Sequence, residues 1–148
     1  MTPIVTQAAA VGHPGYSSEL PRVAEAVSDA RRLVRSALDT WGLAGIAEDT
    51  TLAVSELAAN AVRHGSGRRM VVRVTRLGPN RVRVAVSDRS KKSPYFVKPS
   101  ESEIDTAGRG LYLVEAVSDR WGTDLLPWGK RVWSEHVGER DACATRAD

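Results

Sequence analysis

The hydrophobic period of this chain first changes just past residue 65, and that change limits the possible folds more than any other feature. Before it the apolar residues recur at helical spacing. Val23, Val27, Ala30, Val34, Ala37, Leu38 and Trp41 share one face, with Arg31, Arg32, Arg35 and Asp39 outside. This predicts a helix from Ser18 to about Trp41, ended by Gly42 and Gly45. A second helix is predicted from about Ile46 to His64, with Glu48 and Asp49 in the first turn, where the dipole favours anions. Gly65 and Gly67 stop it. After the change the period is two. "MVVRVTRL" puts Met70, Val72 and Val74 on one face, and "RVRVAVSD" puts Val82, Val84 and Val86 inward with Arg81 and Arg83 outward. The turn "GPN" between them predicts an antiparallel hairpin.

Residues 89–106 are polar, contain Pro94 and Pro99 and have no period. A loop of this length in a compact domain is usually functional or disordered, and it is expected to be a mobile lid. "GRGLYLVEAVS" predicts a glycine turn followed by a short apolar helix, and "DRWGTDLLPWGKRVWSEHV" a second hairpin turning near Pro127 to Gly129. The order is therefore α, α, β, β, loop, α, β, β. That predicts an α+β, two-layer sandwich: a mixed, mostly antiparallel sheet with helices on one face. The expected organisation is a flexible lead over 1–18, a single domain over 19–137 and a flexible tail over 138–148.

The bulk properties narrow the function classes. The chain has 148 residues, with 42% hydrophobic and 26% charged, which describes an ordinary globular protein with one core. No stretch is apolar for the roughly 18 to 20 residues that a membrane helix needs. The first residues lack the basic start and continuous apolar segment of a signal peptide. The expectation is a cytoplasmic protein without a membrane partner. Cys143 stands alone, so no internal disulfide framework exists. A net charge of +3 is only mildly basic and does not point to nucleic acid.

Three stretches carry candidate chemistry. In "SELAANAVRHG", Glu56 and Asn60 are four apart and so share one helix face. An amide oxygen suits magnesium, a hard cation that keeps much of its water beside phosphate oxygens, and a neighbouring carboxylate can take a proton from an attacking hydroxyl. Taken alone, these two residues more often simply face solvent or cap something. Asp88 ends the strand "VRVAVSD", where a carboxylate can accept from an exocyclic amine, although an Asp that starts a turn is common. In "TAGRGLYLV", two glycines bracket Arg109 before a helix; glycines let backbone N–H groups approach phosphate closely. A plain turn into a helix fits as well. Neither a P-loop nor a dinucleotide fingerprint is present.

The order of these stretches is more informative than any one of them. "ARRLVRSALDTWGL", "AVSELAANAVRHG", "VRVAVSDRS…P", "TAGRGLYLVEAVSDRWG" and "GKRVW" resemble successive blocks of the GHKL, or Bergerat-fold, ATPases and kinases, whose members include gyrase B, Hsp90, MutL and histidine-kinase ATP domains. Within that superfamily the chain is most similar to small bacterial anti-sigma-factor serine/threonine kinases and their single-domain actinomycete relatives. The likeness spans about residues 20–136. It implies ATP and Mg2+ as ligands. Asn60 would coordinate the metal, Glu56 would be the general base and Asp88 would bind the adenine amine. Gly108, Arg109, Gly110 and Leu111 would form the phosphate-facing turn of the lid. His64 matches the family's "NAxxH" pattern, and a helix-terminal His beside the dipole is the structural alternative. The chain departs from the family's D-x-G-x-G, because Arg89, Ser90, Lys91 and Lys92 follow Asp88.

The resemblance implies a kinase that phosphorylates an antagonist protein, sequesters a sigma factor, or does both. The alternative is a non-catalytic ATP-binding partner-switching regulator; a homodimer is left open. His13, His64 and His136 have no metal-cage spacing, and Ser55 and Ser87 lack the context of a nucleophile. Arg68, Arg69, Arg73, Arg76, Arg81 and Arg83 are expected to form a solvated face, with an acidic partner as the alternative. The four tryptophans are expected to anchor the core and sheet edges.

Overall fold

The computed structural model describes residues 5–8, 13–91 and 106–138. Six strands form one sheet: β1 (Val5–Ala8), β2 (Pro14–Pro21), β3 (Arg69–Gly78), β4 (Arg81–Asp88), β5 (Arg120–Leu126) and β6 (Gly129–Val137). Their order is β1-β2-β3-β4-β6-β5, and every pairing is antiparallel, so the described strands contain no parallel component. Three helices pack on one face: α1 (Ala26–Thr40), α2 (Ala47–His64) and α3 (Thr106–Val117). A short 3-10 turn, Ala44–Ile46, leads into α2. The two-layer α+β architecture is the one expected from the change of period.

Both predicted hairpins are present, and their alternation has the expected physical result. Met70, Val72, Val74, Val82, Val84 and Val86 are buried beneath Leu33, Val34 and Leu38 of α1 and Val54, Leu57 and Ala61 of α2. From α3, Leu111 and Val114 close the layer.

The N-terminal reading needs correction. The lead over 1–18 was expected to be irregular, but it supplies β1 and most of β2. The first helix starts at Ala26 instead of Ser18. Tyr16, Ser18 and Leu20 face Val74, Val72 and Met70 across the β2–β3 pair. Pro21 held the missed signal: a residue before proline is driven away from helical geometry, so no helix could run through Leu20. The glycine turn expected over 108–111 is also absent, because α3 already begins at Thr106. Residues 92–105, most of the expected lid, and the tail from 139 lie outside the described residues.

The end of α2 is held over the end of β4. Arg22, just past β2, donates through Nη1 to the carbonyls of Val62 (2.6 Å) and Ala61 (3.3 Å), and through Nε to that of Gly67 (2.6 Å). The Val62 carbonyl lies in the last turn of α2, where the helix ladder runs out, and that of Ala61 also accepts from the Gly65 N–H at 2.9 Å. At Gly65 a Cβ would lie 2.3 Å from the Ala61 carbonyl oxygen and 2.8 Å from Cγ of Asp88. Only glycine lets the chain leave the helix so close to the strand.

The opposite face of the sheet carries no helix, yet it buries an acid. Glu135 of β6 is 1% exposed and is held by Arg81, Arg83 and Arg120. Arg83 and Arg120 also lie over the Trp133 ring, at 4.2 and 5.6 Å from its centroid. Arg81 and Arg83 therefore do not simply form the expected solvated face. Burial pushes the Glu135 carboxyl up, but hydrogen bonds and charge from Arg120 and Arg83 outweigh it and hold the group below the usual carboxylate range. One residue along, His136 faces the helix layer, buried, with its Nε2 2.9 Å from Oγ of Ser134. Burial pushes its imidazole below the usual range, against the weaker opposing pull of the Val117 carbonyl and nearby acids.

Two predictions follow from these contacts. Gly65→Ala should destabilise the protein by about 1–3 kcal/mol, an overpacking cost read from urea midpoints. The pH response should have two stages. A histidine that resists protonation when folded contributes nothing above about pH 6.5 and costs stability as pH falls below it. Glu135, depressed when folded, contributes stability that is present above about pH 4.3 and is lost as pH falls through its lowered value. His136→Asn should flatten the first stage alone and Glu135→Gln the second, in stability–pH profiles compared with wild type.

Candidate functional site

Helix α2 buries four polar side chains besides its apolar stripe: Thr50, Thr51, Ser55 and Asn60. Three of them discharge locally. Thr50 donates to the Ile46 carbonyl at 2.7 Å, Thr51 to that of Ala47 at 2.6 Å, and Ser55 to that of Thr51 at 2.7 Å. Such back-bonding makes a buried hydroxyl tolerable in a helix. Asn60 differs. It is 9% exposed, and its Oδ1 has no hydrogen-bond partner among the described residues. A buried acceptor without a partner is costly, and an orphan amide oxygen in a native fold calls for an explanation.

One turn earlier, half-buried Glu56 reaches the third helix. Its Oε1 lies 2.8 Å from where a Cβ on Gly110 would stand. The carboxylate thus occupies space that only a glycine leaves open, and the α2–α3 packing brings Glu56 and Gly110 together as the sequence suggested. The remainder of the expected glycine turn is rearranged. Gly110 and Leu111 lie inside α3, so their N–H groups belong to the helix ladder, and Leu111 is buried in the core. Gly108 and Arg109 lie in the first turn of α3, and the N–H of Gly108 precedes the first ladder bond.

Asp88 ends β4 as expected, and it stands in a buried polar cluster. Its Oδ1 accepts from the N–H groups of Ser90 (2.7 Å) and Ser66 (3.3 Å). Lys130, opposite it in the β4–β6 register, places Nζ 3.2 Å from Oδ2. Asp88 also borders a cavity of about 550 Å³ with Arg68, Arg89 and Trp128. Glu56, Asn60 and Gly110 do not line that cavity. The acid and the α2 pair are linked instead through Gly65 and Ser66, the residues directly after the helix. His64, in the last turn of α2, is exposed.

The donor set can be tested against a cation. Among the described residues no cluster of three His, Cys, Asp or Glu side chains could cage a metal. A magnesium ion fits the site in another way. It needs one or two protein oxygens beside phosphate and water, and the orphan Oδ1 of Asn60 is such an oxygen. No described helix is long and apolar enough to cross a membrane.

Sequence reasoning missed Lys130, Arg22 and Gly65 as parts of this framework. Lys130 lay in the quoted block "GKRVW", but only strand register reveals that it meets Asp88.

Comparison with known proteins agrees with this fold. Residues 20–133 match the family model for the histidine kinase-like ATPase domain. The uncharacterized protein SCO4941 of Streptomyces coelicolor is 31% identical over 87 residues, which is 58% of this chain and 83% of that protein. The crystal structure of the RsbU and RsbW domains of Rv1364c from Mycobacterium tuberculosis superposes on 87% of this chain with a TM-score of 0.64 at 23% identity. This chain spans about a third of the Rv1364c chain (34%), and the likeness is one of fold. With a match that runs from the end of β2 into β6, the chain belongs to the histidine kinase-like ATPase domain family.

Proposed function

We propose that the protein is an ATP-binding regulatory serine/threonine kinase of the anti-sigma-factor type, which phosphorylates an antagonist protein, sequesters a sigma factor, or does both. The observation that carries this reading is the orphan Oδ1 of Asn60, one helical turn from a carboxylate seated on Gly110. A structural helix gains nothing from a buried acceptor without a partner. A helix that lines the triphosphate end of a nucleotide pocket does, because the ligand completes it. The family supports the nucleotide. The likeness to the structure of the RsbU and RsbW domains of Rv1364c supports a regulatory setting.

In this reading Asn60 would hold magnesium, which when bound would supply charge neutralisation for the phosphates. Asp88 accepts from the adenine amine. The N–H groups at the start of α3, including that of Gly108, face phosphate oxygens, with Arg109 beside them. Glu56 accepts the proton of the partner's serine or threonine hydroxyl as its oxygen bonds to the γ-phosphorus. The bond from that phosphorus to the β–γ bridging oxygen breaks, and ADP leaves with the electron pair. Positioning and charge stabilisation supply most of the catalysis in such transfers. A non-catalytic ATP-binding regulator is the second reading. One observation favours it: Asp88 lacks the following glycines of D-x-G-x-G and is already engaged by Lys130 and two backbone N–H groups.

Magnesium with ATP should raise the melting temperature of the wild type, because a ligand bound only to the folded state stabilises it. Asn60→Ala should remove that shift while the apo protein still folds; an unchanged shift would exclude Asn60 from the site. Glu56→Gln should keep the shift and slow phosphate transfer to a partner by roughly 100- to 10,000-fold, the usual weight of a general base. Transfer by neither form to any co-purified partner would leave the binding-only reading. A separate test concerns the seat of the base. Gly110→Ala should leave melting unchanged or slightly raised, because alanine favours helix and only the far end of a flexible side chain must move. Transfer should nevertheless fall, since Glu56 loses its place.

A further inference from the structure

The Asp88–Lys130 pair has more hydrogen-bonding capacity than the fold uses. The two side chains are 2% and 6% exposed, so both charges are out of water. The two carboxylate oxygens are not equivalent. Oδ1 receives the N–H groups of Ser90 and Ser66 and the ammonium of Lys130 at 3.4 Å. Oδ2 lies 3.2 Å from the ammonium as the near side of the ion pair, and no donor among the described residues hydrogen-bonds to it. Each carboxylate oxygen offers about two acceptor positions, so Oδ2 keeps acceptor capacity open. Lys130 carries three N–H donors, and among the described residues Asp88 is the acceptor it meets. One buried spot therefore presents an unfilled acceptor and unfilled donors side by side. Leaving a buried ammonium under-bonded is expensive, and that cost is recovered when a ligand supplies the missing acceptor.

We infer that Lys130 is a selectivity residue: together with Asp88 it reads the edge of a 6-aminopurine nucleotide, with Asp88 accepting from the amine and Lys130 donating to the adjacent ring nitrogen, N1. This rests on the nucleotide reading given above. Adenine offers a donor and an acceptor on neighbouring atoms, which matches the carboxylate–ammonium order. A 6-oxopurine offers the reverse order. Its carbonyl oxygen would face Oδ2 and its N–H would face the ammonium, so both contacts would repel. Selection by buried polar groups is steep, because the wrong ligand leaves those groups unpaired. The pair would thus supply, through a side chain on β6, discrimination that does not depend on glycines after Asp88.

The test is calorimetric titration of the intact protein, in magnesium, with ATP, with 1-deaza-ATP, which has C–H in place of N1, and with ITP, a 6-oxopurine. Wild type should bind 1-deaza-ATP about 10-fold or more weaker than ATP, the weight of a hydrogen bond from a charged donor, and should bind ITP weaker still. Lys130→Met should bind ATP less tightly and should lose the distinction between ATP and 1-deaza-ATP to within about twofold. Equal wild-type affinity for ATP and 1-deaza-ATP would overturn the inference and leave the nucleotide reading standing. The same discrimination in Lys130→Met as in wild type would overturn it too. A wild type that binds no ATP would overturn both. The wild-type comparison needs no variant, so it decides the matter even if Lys130→Met fails to fold.

Discussion

The contact on which the rest of this structure depends is the close approach of the end of α2 to the end of β4, with Gly65 between them. A helix and a strand normally stand apart by the bulk of two side chains. Here a Cβ at Gly65 would meet both the Ala61 carbonyl and the Asp88 carboxylate. Arg22 ties the terminal helix carbonyls to the segment past β2, and the Arg89 N–H donates to the Ser66 carbonyl at 3.2 Å. The result is a rigid corner. It fixes Asn60 one turn upstream, Asp88 directly below and Lys130 across the register, although these residues are far apart in the chain. Loops that bind ligands are mobile in many proteins; here the polar groups of the candidate site are anchored on regular elements, the more accurate way to hold them.

Buried polar groups in this domain sort into two kinds. Thr50, Thr51 and Ser55 are closed locally by helix carbonyls, and Glu135 is closed by three arginines that arrive from β4 and β5. These groups cost the fold little because each desolvated atom has its partner. Asn60 and the Asp88–Lys130 pair are only partly closed. Both lie at the α2–β4 corner, whereas Oγ of Ser118, also buried without a partner among the described residues, lies elsewhere, between α3 and β5.

The sequence carried much of this, and its failures have definite causes. The change of period near residue 65 correctly separated helices from strands, because burial on one face imposes the repeat of the element directly. The α2 boundaries were legible from the acids at its start and the glycines at its end. The first helix starts at Ala26 and not at Ser18 because its apolar stripe, which begins at Val23, does not mark where the helix begins, and Pro21 favours extended backbone at Leu20. The glycines at 108 and 110 suggested a turn, but α3 incorporates them because packing against α2 offsets their poor propensity. Arg81 and Arg83 looked solvent-facing because alternation reports the side of a sheet but not what covers it. Glu135 lies on that side, and three guanidinium groups bury it.

By itself the sequence determined the two-layer α+β class, both hairpins, the shared helix face of Glu56 and Asn60, and the place of Asp88 at a strand end. These are local properties: periodicity, turn chemistry and spacing along a single element. Only the tertiary structure decided that Lys130 stands against Asp88, that Glu56 rests on Gly110, that Arg22 caps α2, and that the oxygen of Asn60 is left without a described partner. Each of these joins elements distant in the chain. Strand register and helix packing are settled by the summed burial of the whole core, and no short stretch of sequence encodes that sum.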